Sequence, residues 1–153
     1  MQCSKPSPNE IRVCLSEQTL SFLGVNYPIS SSKFGEGTTE GSNKTPLGTF
    51  QICEMFGAGD EIYSIYKGRR KKSVWKGETQ DISQDMILSR ILRLSGLDPE
   101  NTNTYGRYIY IHGTNDEDGI GELKSIGCLR MKNADVISLY NLVPLGTIVH
   151  VYP

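Results

Sequence analysis

His112 and Cys128 are the residues of this chain whose types and surroundings suit covalent chemistry. Each stands beside a glycine, at opposite ends of an acidic, glycine-containing stretch within YIYIHGTNDEDGIGELKSIGCLRMKNAD (residues 108–135). Thiolate is the attacking form of cysteine, and a free thiol of pKa ~8.5 is only slightly ionised at neutral pH. A histidine neighbour supplies the missing base. Gly127, directly before the cysteine, removes side-chain bulk and lets backbone N–H groups approach a reacting carbonyl. From residue types alone a second reading stays open, in which a buried cysteine and a structural histidine never meet. The order His then Cys argues against a papain-like protease, and the local caspase signature is absent.

The elements that must position this pair read as mainly β. RYIYIHG alternates so that Ile109 and Ile111 share one strand face, while Tyr108, Tyr110 and His112 share the other. With the isoleucines in the core, the histidine points into a cleft or toward solvent. IRVCLSEQTLSFL reads as a β-hairpin, YPIS as a further strand, and TPLGTFQIC as a turn leading into a strand with Phe50 and Ile52. Between them SSSKFGEGTTEGSNK has little to bury and reads as a long surface loop. A strand is expected around Ile62–Tyr66, and the segment to Thr79 carries no firm pattern. Two helices are predicted. One starts at a Ser83 cap, has Met86, Ile87, Ile91 and Leu94 on one face, and stops at Gly96 and Pro99; the other runs from a cap at Asn133 to Val143. TIVHVY closes the chain as a strand.

At 153 residues one core is the default, and no internal repeat or linker divides the chain. Residues 1–10 read as a tail and 11–153 as one domain. No apolar run approaches the ~18 to 20 residues of a membrane span. A net charge of -1 gives no global attraction for nucleic acid, and KGRRKK (residues 67–72) reads as a solvated basic loop without aromatic stacking partners. The cysteines Cys3, Cys14, Cys53 and Cys128 form no C-x-x-C pair and the histidines show no zinc-ligand spacing, so neither a metal nor another cofactor is expected. NDEDG (residues 115–119) lacks the ligand alternation of a calcium loop and reads as a solvated turn. His150 reads as structural. No signal peptide is visible, so the protein stays inside the cell or a leader has been removed. Cys3 reads as an incidental tail thiol, with lipidation as the alternative.

YIYIHGT followed by SIGCLRM and NADV resembles the signature of the L,D-transpeptidase catalytic domain, the YkuD-type family. TPLGTFQI, the opening IRVCLSEQTLSF and the ending LVPLGTIVHV resemble other parts of it, so that the likeness spans most of Ile11–Tyr152. Many members carry a second histidine where this chain has Ile126. The resemblance implies a mainly β, β-sandwich-type catalytic domain with about two helices. It implies a bacterial cell-wall enzyme working in the periplasm or envelope on peptidoglycan stem peptides, acting as a monomer and without cofactor. Its acceptor is an amine of a neighbouring stem, with water, a lipoprotein or a free D-amino acid as alternatives; a catalytically silent wall-binding module is the other reading.

Roles follow residue by residue from that likeness. Cys128 is the nucleophile and His112 the base, its ring oriented by the backbone carbonyl of Gly113. The N–H groups of Ile126, Gly127 and Cys128 are candidates for an oxyanion hole. Arg130 either braces the loop or binds a substrate carboxylate. Thr114 and Ser125 position substrate or, more in keeping with their settings, brace the loop, and Tyr110 with Tyr108 walls the cleft.

Overall fold

The computed structural model describes residues 9–77 and 85–153. Alternating apolar residues set up the first antiparallel ribbon. In β1 (Ile11–Cys14) and β2 (Thr19–Phe22), Ile11, Val13, Leu20 and Phe22 are all buried, and Val13 lies opposite Leu20. β3 (Val25–Ser30) extends the meander by pairing with β2. β4 (Gly48–Phe56) then buries Phe50 and Ile52, as their spacing predicts.

β5 (Ser64–Lys67) overlaps the strand expected around Ile62–Tyr66, and it forms a hairpin with β6 (Arg70–Val74), where the sequence carried no firm pattern. Its two-residue turn, Gly68 and Arg69, has positive φ at both positions (55° and 63°), the geometry that matches the twist of a tight hairpin. KGRRKK is therefore ordered as a hairpin tip and not as a loop.

The helix expected to begin at Ser83 is not formed over its described part. Ile87–Gly96 is instead β7, the longest strand, and Ser83 itself lies outside the described residues. The reason is burial on both faces: Leu88, Ile91, Leu92 and Leu94 are at most 1% exposed, and Arg90 and Arg93 are buried too. A strand covered on both sides loses the clean alternation that identifies it, and Ile, Leu and Arg spaced along such a run mimic a helical stripe. β7 also carries a bulge between Leu88 and Ile91, with Ser89 at φ 74°.

β8 (Tyr110–Gly113) pairs antiparallel with β7, and β9 (Leu129–Met131) pairs parallel with β8, with His112 opposite Arg130. α1 (Asn133–Leu142) packs against β7 and β8 through Val136 and Leu139, and β10 (Ile148–Tyr152) closes the chain. Lys132, and not Asn133, occupies the helix cap. Among the described residues α1 is the single α-helix, one fewer than the two expected.

Every strand belongs to one sheet, ordered β4-β10-β1-β2-β3-β9-β8-β7-β5-β6, and β7 also pairs with β4. That last pairing closes the sheet. The expected mainly β class is present as a closed, barrel-like sheet in place of two stacked layers, with the β5–β6 hairpin attached outside it. Ile109, Ile111, Leu129 and Met131 enter the main core with Phe50 and Leu92. Tyr110 belongs to a second cluster, with Tyr66 and Ile91, against which Cys128 packs.

Candidate active site

Parallel pairing of β8 with β9 brings the two motifs together. Since Ile111 lies opposite Leu129, the residues one step earlier, Tyr110 and Cys128, meet at the strand ends. The Tyr110 N–H donates to Cys128 Sγ at 3.3 Å, and the thiol donates to the Tyr108 carbonyl at 3.4 Å. Tyr108 holds this carbonyl in place from a left-handed backbone (φ 56°), a conformation that costs a bulky residue about 1–2 kcal/mol.

His112 is only 1% exposed, so it faces neither solvent nor an open cleft as the alternation suggested. It lies on the Tyr110 side of β8 but beneath other protein. Its Nδ1 is 2.6 Å from the Gly113 carbonyl, and because a carbonyl only accepts, Nδ1 carries the proton and Nε2 keeps its lone pair. Gly113 cannot carry a side chain, since a Cβ would lie 2.4 Å from Asn133 Oδ1 and 2.7 Å from the Leu88 carbonyl. Among the described residues the imidazole and the thiol each have these backbone partners and no hydrogen bond to each other.

Electrostatics keep both groups uncharged. Burial pushes the Cys128 thiol up to about 12, with the Asp85 charge adding to the rise; the Tyr110 N–H, Arg130 and Arg107 pull the other way. Burial likewise lowers the His112 imidazole below its ordinary value, against the opposing pull of Asp85 and the Gly113 carbonyl. At neutral pH the pair is therefore thiol and neutral imidazole.

The turn that leads into Cys128 is fixed by hydroxyls. Ser125 is fully buried; its Oγ donates to the Cys128 carbonyl at 2.6 Å and accepts from the Gly127 N–H at 3.2 Å. That second bond occupies one of the three expected oxyanion donors, whereas the N–H groups of Ile126 and Cys128 enter no turn, loop or cap hydrogen bond among the described residues. Ile126 itself is 52% exposed. Gly127 sits at φ 129°, where an added Cβ would make only ordinary contact (3.4 Å to Ile109), so its backbone angle more than its lack of bulk demands glycine.

Thr45, the first residue of TPLGTFQI, completes the brace. Its buried Oγ1 donates to the Gly127 carbonyl and accepts from the Ser32 N–H, both at 3.0 Å. Ser31 and Ser32 are buried as well, and the Ser31 carbonyl accepts from Ser125 N–H at 3.0 Å. The first end of the expected surface loop is thus interior, as is Thr45 just beyond its other end. Its polar composition hid this, because hydroxyls bury cheaply only when every bond is matched.

Arg130 is 6% exposed at its side chain, with Nε 3.1 Å from Asp85 Oδ1 and Nη1 3.9 Å from Asp116 Oδ2. Thr114 Oγ1 accepts from the Asp116 N–H, and the Thr114 carbonyl accepts from Asn133 Nδ2 at 2.8 Å. Glu117 Oε2 accepts from the Asn133 N–H at 2.7 Å at the start of α1. NDEDG is accordingly no solvated turn, since two of its acids are spent inside the fold. Asn133 also takes the Ser89 hydroxyl on its Oδ1 at 2.7 Å, which ties the β7 bulge to α1 and to the strand end at His112. The Tyr110 hydroxyl accepts from Arg69 Nη1 at 3.2 Å. Elsewhere His150 pairs with Glu10 at 3.1 Å, Cys14 is disulfide-bonded, and Cys53 and Cys128 are free thiols.

A closed sheet thus carries a buried, carbonyl-oriented imidazole on β8 and a free thiol at the start of the neighbouring strand β9. The L,D-transpeptidase catalytic domain model matches residues 8–151, and the chain belongs to this YkuD family. YqjB of Bacillus subtilis (strain 168), named provisionally as an L,D-transpeptidase, is 44% identical over 142 residues, covering 93% of this chain and 71% of its own. Among solved structures, an L,D-transpeptidase (residues 123–326) from Xylanimonas cellulosilytica superposes with a TM-score of 0.61 at 18% identity, over 97% of this chain and 62% of that one. L,D-transpeptidase 3 from Mycobacterium tuberculosis, in complex with a faropenem-derived adduct, gives 0.59 at 18%, over 94% and 59%. The chain spans about three-fifths of the length of these two solved chains, and at such identities they speak for the fold alone.

Proposed function

We propose that the protein is a peptidoglycan L,D-transpeptidase that works through an acyl-enzyme on Cys128. The observation that carries this reading is the Gly113 carbonyl fixing His112 Nδ1–H, beside a thiol already held by the Tyr110 N–H. The substrate is a tetrapeptide stem, and the bond cleaved joins its diamino acid to the terminal D-alanine. On substrate binding the thiol leaves the Tyr108 carbonyl and turns toward Nε2 of His112, in keeping with the looser geometry of unliganded sites.

His112 Nε2 takes the S–H proton as sulfur attacks the diamino-acid carbonyl. The resulting oxyanion is met by the N–H groups of Cys128 and Ile126, the donors left open by the turn. The C–N bond then breaks, the departing D-alanine nitrogen takes the proton from the imidazole, and a thioester remains. An amine of a neighbouring stem attacks the thioester, gives its proton to His112, and the thiol is restored with a new peptide bond in place. The atoms balance without a cofactor. Arg130, Ser125 and Thr114 brace this machinery, and the neutral resting pair requires the imidazole to act as a general base and not as one half of a preformed ion pair.

Incubation with purified muropeptides and mass spectrometry of the products tests the reading. A 3-3 cross-linked dimer with loss of D-alanine is expected. Tripeptide without dimer points to water as the acceptor and a carboxypeptidase; unchanged tetrapeptide points to a silent wall-binding module. Acting on this substrate places the working protein at the cell envelope, and no described helix is long and apolar enough to cross a membrane.

A further inference from the structure

Each arginine whose side chain meets the strand ends and loops around Cys128 can be followed to its partners, and all but one are spent. Arg130 is buried between Asp85 and Asp116. Arg93, 4% exposed, pairs with Glu54 at 3.1 Å, gives a hydrogen bond to the Tyr105 carbonyl and stacks on the Tyr105 ring at 3.5 Å. Arg107 donates to the carbonyls of Gly37 and Lys44. Arg69 differs, because its one hydrogen bond among the described residues goes to an uncharged phenol, that of Tyr110. No described carboxylate lies within ion-pair distance of it; Glu54 acts on it only at longer range, so its charge has no contact partner among the described residues.

Arg69 is also held where that charge matters. Its guanidinium lies 5.6 Å from the Tyr108 ring centroid and bonds the Tyr110 hydroxyl, and these two residues contribute the backbone groups that contact Cys128 Sγ. The residue occupies the second position of the hairpin turn at φ 63°, where glycine or asparagine is the low-strain choice. A strained arginine over the aromatic wall of a thiol site is an arrangement the hairpin does not need for its own closure.

Resting on the transpeptidase reading, we infer that Arg69 is a specificity-determining residue that binds a carboxylate of the donor stem next to the scissile bond. Two carboxylates have this chemistry: the terminal one of the leaving D-alanine, and the one borne by the side chain of a diamino acid that carries it. The first lies one residue past the reacting carbonyl, a span of ~3.3–3.6 Å along an extended chain; the second lies at the end of the side chain of the residue that bears that carbonyl. A planar guanidinium with unspent N–H donors suits such a group bidentately, as a lysine does not.

The test uses donor tetrapeptides that differ only in charge: free carboxylates at both positions, a D-alaninamide terminus, or an amidated diamino-acid side chain. Wild type is expected to process the fully charged donor about tenfold or more better, in kcat/KM, than one amidated form. Which amide loses identifies the carboxylate. Arg69→Met should erase that preference by lowering only the charged donor, and Arg69→Lys should restore part of it. The Cys128→Ala protein, which cannot react, should bind the charged peptide more tightly than the amide, and Cys128→Ala combined with Arg69→Met should not.

Equal use of charged and amidated donors by wild type overturns the inference. So does an Arg69→Met variant that slows all donors alike, which marks a structural role for the hairpin contact. If wild type turns over no donor but the Cys128→Ala protein still shows an Arg69-dependent preference, the carboxylate site stands and the catalytic reading falls. Absence of both removes the two together.

Discussion

The inside of the barrel and the layer on its outer side at β8 solve different problems with adjacent residues of the same strands. Ile109, Ile111, Leu129 and Met131 point inward and are at most 3% exposed, held by non-directional apolar burial. Tyr110, His112, Cys128 and Arg130 belong to the outer side, where every polar atom must be oriented. The inner set makes a rigid frame from almost any well-packed apolar residues. The outer set holds strain in the backbones of Tyr108 and Ser89 and stakes its order on matched hydrogen bonds at Ser125, Thr45 and Asn133. Precision is concentrated in the polar layer, and the barrel supplies the stability that layer consumes.

The largest separation between the two regions should come from Cys128→Ala. Turnover of tetrapeptide is expected to vanish, as is any carbapenem adduct on the SIGCLR peptide, while the melting temperature stays close to wild type, since the thiol lies at the edge of its apolar cluster. Mass spectrometry after peptide mapping checks this. Residual turnover in that variant, or an adduct on the other free thiol, Cys53, removes the mechanism.

Neighbours on β8 give the next contrast. His112→Ala should slow acylation by ~100-fold or more, the usual scale for losing a general base. Ile111→Ala should instead cost about 2–5 kcal/mol of stability through lost burial and an unfilled cavity. Urea melts and single-turnover acylation, measured on both proteins, separate the two. The comparison breaks if the histidine variant is the less stable one with chemistry intact.

The pH dependence of stability has two arms with opposite causes. A thiol raised from its ordinary value to about 12 stays protonated in the fold while the unfolded chain ionises, so stability falls as pH rises above about 9. An imidazole lowered in the fold is protonated first in the unfolded chain, so stability falls as pH drops below its ordinary ~6.5. Thermal melts across this range should show a plateau between the arms. Cys128→Ala should remove the part of the alkaline arm that begins near pH 9, leaving the part set by Tyr66, whose phenol burial also raises, and the acid arm unchanged; an alkaline arm identical to wild type contradicts the raised thiol.

Thr45→Val keeps the shape of the side chain and removes both of its hydrogen bonds. About 1–3 kcal/mol is expected to be lost from the unpaired Gly127 carbonyl and Ser32 N–H. Activity should fall about tenfold, because the Gly127 carbonyl then no longer anchors the turn that aims Cys128. A stable, fully active variant would deny the loop ends any part in the site.

What the sequence made legible follows the same divide. Alternation located β1, β2, β8 and β10 because each has one apolar face, and α1 because Val136, Leu139 and Val143 keep a helical period beside a clear stop at Pro144. β7 escaped because burial on both faces erased the period-two signal. Ser31 and Ser32 escaped because their composition is that of a loop, and Thr45 and Asn133 were read only as the start of a motif and as a helix cap; what buries them is a partner far along the chain: Gly127 is 82 residues from Thr45. Arg69 was taken for solvated charge because nothing local ties it to Tyr110, 41 residues on. Motif spacing named His112 and Cys128, but the pairing of β8 with β9 was needed to bring their strands together.

The smallest effect is expected at Ile126, where many family members carry a second histidine. Its side chain is 52% exposed and reaches no core cluster, so Ile126→Ala removes little buried area and should shift stability by no more than about 0.5 kcal/mol. Its chemistry, on the proposed mechanism, is carried by a backbone N–H that alanine retains, so kcat/KM should change by less than about threefold. Ile126→Pro removes that N–H and restricts the preceding Ser125 backbone, and should cost far more. Ile126→His completes the series: with His112 already placed to move the proton, a second imidazole should add little to the rate at neutral pH. A gain of an order of magnitude from Ile126→His would show that this site lacks a group its relatives use. The outer layer would then be incomplete, and the Gly127 N–H occupied by Ser125 would be the first place to look for the cause.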